Sequence, residues 1–181
     1  SKQLERYTTD HLVLKNIKVK KLLDQVIIIQ TKIANERQLQ IDNLASNNLP
    51  ILVGDELRLT QILSSLLYHA IAESKARSQL KIEAKLEQLT SPHLKINISG
   101  EKKNYDDNFI KEQGDASQLS LPIIQEIVAV HLGQLEIFDR DKKINYQLTI
   151  PYLAEEDFYR RLYQAKDNEK TKNNVIPFPT K

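Results

Sequence analysis

Apolar residues recur at threes and fours through Val19, Leu22, Leu23, Val26, Ile29 and Ile33, while Lys20, Lys21, Asp24 and Lys32 take the other side. That spacing predicts an amphipathic helix against a core. Leu39, Ile41 and Leu44 read as a short strand, residues 46–50 as a turn, and 51–53 as a second extended piece. The strongest helical period runs through Leu59, Ile62, Leu63, Leu66, Leu67 and Ala70, with Asp55 placed to cap the first free N–H groups. Leu80, Ile82, Ala84 and Leu86 alternate with charged residues, as do Leu94, Ile96 and Ile98 with polar ones, so a β-hairpin is predicted around Ser91 and Pro92. Residues 100–118 are polar and predict a mobile connector. A helix is predicted over 119–132, with Leu121, Ile124, Ile127, Val128 and Leu132 inward. Strands follow over 134–139 and 144–150, joined by a charged turn at 140–143. This order predicts an α/β (α+β) two-layer sandwich: one mixed sheet covered on one face by helices. Residues 155–165 suit a further helix, and 166–181 have the composition of a disordered tail.

Composition narrows the chemistry. With 26 basic and 24 acidic residues, the net charge of +2 gives no electrostatic reason to expect nucleic acid or an anionic membrane. No cysteine is present, which removes disulfides, thiolate metal sites and cysteine nucleophiles. The longest aliphatic run, 26–29, is far short of the roughly 18 apolar residues of a membrane span. The chain lacks methionine even at position 1 and is read as part of something longer. It holds 4 glycines, and no two are spaced as G-x-G. Phosphate cradles need glycine so that backbone N–H groups can approach an anion, and dinucleotide-fold and Walker-type loops are therefore disfavoured.

The segment Gly54-Asp55-Glu56-Leu57-Arg58-Leu59-Thr60-Gln61-Ile62-Leu63-Ser64-Ser65-Leu66-Leu67-Tyr68-His69-Ala70-Ile71 resembles the N box of sensor histidine kinases and its lead-in. Leu119-Ser120-Leu121-Pro122-Ile123-Ile124-Gln125-Glu126-Ile127-Val128-Ala129-Val130-His131-Leu132-Gly133 is similar to the G2 box and following helix of the same family. The resemblance covers 19–151 and implies the Bergerat-type ATPase fold of the kinase, gyrase, Hsp90 and mismatch-repair superfamily. Residues 1–18 then correspond to the end of a dimerisation helix and its link, and 152–181 to a C-terminal helix and tail. The implied parent is a cytoplasmic homodimer in two-component signalling.

The resemblance also implies where ATP and magnesium would bind, and there the residues depart from the family. Ser65, His69 and Ala72 stand where the N box places its two asparagines and lysine. They share one helical face, which offers no carboxamide or carboxylate to a hard cation. The adenine-reading aspartate is replaced by Ser99 or Gly100, depending on a one-residue register. The three G2 glycines become Ala116, Gln118 and Ser120, and Pro122 near the helix start brings no N–H. Losing three such contacts, at about 1.4 kcal/mol per tenfold, would move a micromolar site towards millimolar. The expectation is a degenerate domain with no cofactor, acting through a protein partner such as a response regulator or a kinase domain. The alternatives are a weakly ATP- and Mg²⁺-binding domain that phosphorylates a histidine outside this segment, or a rigid spacer.

The remaining candidates have plainer readings. His11 lacks the acidic neighbour and the proline of the family's phosphoacceptor motif and is read as a link residue. His69 is read as packed or solvent-tipped, His93 as lying in the hairpin turn, and His131 as a structural contact to a helix C-terminal dipole. No ligand spacing for zinc exists among them. Asp106 and Asp107 are read as solvated charge, and Arg160 and Arg161 with Tyr159 and Tyr163 as one side of an exposed tail helix.

Overall fold

The computed structural model describes residues 12–88, 90–104 and 118–173. The elements run β1 (Leu14–Ile17), α1 (Val19–Glu36), β2 (Gln40–Asn43), β3 (Leu52–Asp55), α2 (Glu56–Glu73), β4 (Gln79–Gln88), β5 (Pro92–Glu101), α3 (Leu121–Val130), β6 (Gln134–Arg140), β7 (Lys143–Pro151) and α4 (Glu155–Asn173). The main sheet has five strands in the order β2-β4-β5-β7-β6, with β2 parallel to β4 and the other pairs antiparallel.

Period-two alternation decides which face of this sheet is covered. Leu80 and Ile82 of β4, Leu94, Ile96 and Ile98 of β5, and Ile144, Tyr146, Leu148 and Ile150 of β7 are buried beneath the helices. Their alternates, among them Lys81, Glu83, Lys95, Asn97, Asn145 and Gln147, form a polar open face. The α2 helix lies between the sheet and α1, so apolar residues surround it: Ile62, Leu63, Leu66, Leu67 and Ile71 are each at most 1% exposed. Each such side chain contributes roughly 1.5–3 kcal/mol on burial. Buried Gln30 of α1 is held by Ser64 of α2, donating through Nε2 to the carbonyl at 3.2 Å and to Oγ at 2.7 Å.

Three departures from the sequence-based expectation have local causes. The strand expected near 51–53 does not join the main sheet: β3 pairs antiparallel with β1, a four-residue strand within the stretch expected to be a link. That pairing buries Ile17 in the core. The α3 helix ends at Val130, and Leu132 takes the left-handed conformation, φ 57°, instead of continuing inward as a helical residue. Its neighbour is a glycine for a different reason, since a Cβ on Gly133 would lie 2.6 Å from the Thr149 carbonyl oxygen. Finally, α4 extends to Asn173, so residues 166–173 are helical where a disordered tail was expected. Lys166, Glu169, Lys170 and Lys172, all good helix formers, make up half of that stretch. Residues 174–181 lie outside the described residues, as does most of the connector expected over 100–118.

Candidate functional site

The three N-box positions sit on α2. Ser65 is buried, His69 half-buried and Ala72 buried. Ser65 and His69, one turn apart, converge on a single residue of the segment that precedes α3. The Leu119 N–H donates to Ser65 Oγ at 3.0 Å, and the Leu119 carbonyl lies 3.0 Å from His69 Nε2. A carbonyl can only accept, so the ring carries its proton on Nε2. Both backbone polar groups of Leu119 are thus held by side chains that the resemblance had assigned to metal and triphosphate. The next residue, Ser120, is the exposed N-cap of α3 and makes no side-chain capping bond. His69 also meets Tyr68 edge to face, with ring centroids 5.9 Å apart.

Gly100 lies apart from this pair, at the far end of α2. Alternation along β5 places Gly100 with Ile96 and Ile98 on the helix-facing side and Ser99 on the open face. Of the two positions that the resemblance offers for the adenine-reading acid, Gly100 thus faces the helices and Ser99 the open side. Its α-carbon is crowded: an added Cβ would lie 2.5 Å from Leu80 Cδ2 and 2.9 Å from Ser74 Oγ. The glycine serves close packing here. Ser74, the C-cap of α2, donates from Oγ to the Ala70 carbonyl at 2.7 Å, and its own carbonyl accepts from an Arg37 guanidinium nitrogen at 2.5 Å.

A second cluster, at the N-terminal end of α2, was not foreseen from sequence. Asp55 caps the helix as expected, accepting from the Arg58 N–H at 3.1 Å. Its other oxygen accepts from the Val13 N–H at 3.1 Å and lies 3.6 Å from Arg58 Nε. His131 then closes the cluster from α3. Fully buried, it accepts from the Asp55 N–H at Nε2 (3.3 Å) and donates from Nδ1 to the Ile127 carbonyl (2.9 Å). Burial pushes the His131 pKa below its ordinary value, against the opposing pull of the Ile127 bond and Asp55. The structural contact expected at the helix C-terminus is made through Nδ1 to the Ile127 carbonyl, and Nε2 adds a tie to the Asp55 backbone. Phe158 of α4 packs edge to face on the same ring, with centroids 6.3 Å apart.

The other singled-out residues fall as follows. His93 is the second residue of β5, not part of the turn, and its Nδ1 lies 2.7 Å from the Ser91 carbonyl. Among the described side chains of α4, Phe158 and Leu162 are buried; Arg160 pairs with Asp157 and Tyr163 is exposed. His11, Asp106, Asp107 and Ala116 lie outside the described residues. Among the described residues, no group of His, Asp and Glu is arranged to hold a metal ion. No described helix is long and apolar enough to cross a membrane. Cavities of about 370 and 280 Å³ flank β4, and neither is lined by Ser65, His69, Ala72 or Ser120.

No family model matches the chain. Among curated proteins it is 24% identical over 151 residues to the sensor histidine kinase ZraS of Escherichia coli strain K12, an alignment covering 79% of this chain and 32% of that protein. Among solved structures it is similar to full-length ShkA in complex with AMPPNP, at 20% identity and a TM-score of 0.65, covering 81% of this chain and 33% of that one. It is also similar to the histidine kinase ThkA in complex with the response regulator protein TrrA, at 16% identity and a TM-score of 0.64, covering 84% of this chain and 46% of that one. The chain spans a third to a half of the length of these relatives.

Proposed function

From the histidine kinase catalytic-domain fold that the chain shares with these proteins, we propose a non-catalytic protein-interaction module of two-component signalling, with a nucleotide site that has lost its chemistry. The observation that carries this reading is the pair of bonds from Ser65 and His69 to Leu119. Side chains whose polar atoms hold a neighbouring backbone segment are not free to meet a magnesium ion or a phosphate. Freeing them would leave a half-buried N–H and C=O unmet, at about 1–1.5 kcal/mol each, the low end for groups that water can still reach. His69 adds a second obstacle: a ring protonated at Nε2 is a donor there and repels a cation.

Gly100 supports the same reading at the base end of the site. It presents neither a carboxylate to an adenine amino group nor open space, because Leu80 and Ser74 crowd its inner side. ATP and Mg²⁺ are accordingly not cofactors in this proposal, and function comes from surfaces. ThkA is recorded with a response regulator, and the proposed partner here is of that kind or a neighbouring kinase domain.

A second reading keeps weak nucleotide binding and phosphorylation of a histidine outside this segment. It is favoured by ShkA, whose similar fold is recorded with AMPPNP. An ATP titration with magnesium, followed by amide shifts, separates the two. The interaction-module reading expects no saturable shift up to millimolar nucleotide. Saturation at low micromolar concentration, with shifts centred on Ser65, His69 and Leu119, would overturn it. Binding of a receiver domain by the same chain, unchanged by nucleotide, is the positive expectation.

A further inference from the structure

The β6 strand is the last in the sheet order, and among the described residues its outer edge pairs with no strand. It is short of cover on both faces: Ile137 on the helix side is 42% exposed and Phe138 on the open face 39%. The hairpin that follows fixes which backbone groups face outward. Asp141 and Lys142 form a two-residue turn with φ 52° and 60°, the geometry of a type I′ turn. In such a hairpin the closing pair, Arg140 and Lys143, exchanges both backbone bonds, and the phase alternates from there. Glu136 and Phe138 therefore also aim their N–H and C=O groups at β7. Leu135, Ile137 and Asp139 aim theirs at the free edge.

Charged residues on an edge strand ordinarily discourage pairing. Here their spacing is self-complementary. Two-fold antiparallel pairing must place residues of like phase opposite one another, so the axis passes through a residue, and centres from Glu136 to Asp139 overlap three or more residues of β6. A centre at Glu136 or Asp139 opposes two carboxylates, and a centre at Ile137 sets Glu136 against Phe138. A centre at Phe138 sets Glu136 against the partner's Arg140 twice, with the two phenyl rings meeting between these pairs. That central position is a non-hydrogen-bonded pair, where facing side chains come closest. Ile137 and Asp139 then exchange bonds across the edge. Glu136 is already steadied on this face by Gln147, whose Nε2 donates to it at 2.8 Å.

We propose that β6 pairs antiparallel with β6 of a second copy of this chain, centred on Phe138 and flanked by two Glu136–Arg140 ion pairs, so that two sheets join edge to edge. This dimer is separate from any association through residues 1–18, and it does not depend on whether nucleotide binds. Sedimentation velocity of the 181-residue chain, from low micromolar to near-millimolar concentration, should show a reversible monomer–dimer equilibrium. Glu136→Arg and Arg140→Glu should each weaken it roughly tenfold or more, by replacing attraction with like-charge contact. The double variant Glu136→Arg/Arg140→Glu should restore it, and Phe138→Ala should weaken it with the charges intact. Far-UV circular dichroism confirms that each variant is folded. A chain that stays monomeric over the whole range, a dimer equally strong in every variant, or a double variant no better than the singles would each overturn the proposal.

Discussion

Two histidines join α2 to the α3 region, one at each end of α3, and they do so under different conditions. His131 is sealed: both ring nitrogens are engaged, burial favours the neutral ring, and Phe158 covers it. His69 is half-buried and meets Leu119 through one nitrogen, in a position shared with Ser65. The first holds three parts of the chain in the core. The second holds the segment that leads into the start of α3. A histidine in the core bears on whether the whole domain stands, and one at the rim on the order of a single segment.

The largest expected separation comes from truncating each ring. His131→Ala removes a fully buried side chain and leaves the Asp55 N–H and Ile127 carbonyl unmet, so a loss of about 2–4 kcal/mol is expected in urea unfolding. His69→Ala should cost no more than about 1.5 kcal/mol in the same measurement. Equal losses at the two sites would erase the distinction.

Acid sharpens the same contrast. The folded pKa of His131 lies below its ordinary 6.5, so the unfolded chain takes up a proton first as pH falls. The stability this residue contributes is complete above that value. It declines as pH drops through 6.5 towards the lowered folded pKa, at up to about 1.4 kcal/mol per unit. Subtracting the pH profile of His131→Gln from that of the parent isolates this slope. A flat difference would mean that the buried ring accepts a proton as readily as the free one.

A smaller and local effect is expected from Ser65→Ala. Global stability should fall by about 1 kcal/mol, while hydrogen exchange at the Leu119 amide should quicken more than that of the α2 core amides. Uniform quickening would mean that the hydroxyl supports the whole helix pair and not this segment. The smallest effect is expected beyond His131, where Leu132→Gly relieves a left-handed residue and should change stability by no more than about 1 kcal/mol. A larger loss would show that the half-buried leucine side chain outweighs its strained backbone.

Periodicity carried the regular parts of the fold because each of those elements declares its own face. Leu59 through Ala70 mark α2, and the alternations of 80–86 and 94–98 mark β4 and β5. Burial then followed the pattern almost residue by residue. β1 was missed because Leu14–Ile17 is too short to show alternation and is stabilised by β3, nearly forty residues later. The substitutions at Ser65, His69 and Ala72 were legible as departures from a motif. What Ser65 and His69 do instead was not, since the Leu119 bonds span 54 and 50 residues. The Asp55–His131 contact spans 76 and leaves no local signature. Which of Ser99 and Gly100 faces the helices depends on the phase of one strand, which the ladder with β4 supplies.

The C-terminal helix deserves to be viewed as a boom. Its 19 residues reach about 28 Å, and among its described side chains Phe158 and Leu162 are buried. A push along this helix is passed through Phe158 to the imidazole that grips the Asp55 backbone. Tension arriving from that side would be felt first at the root of α2, on the opposite flank of the domain from Gly100.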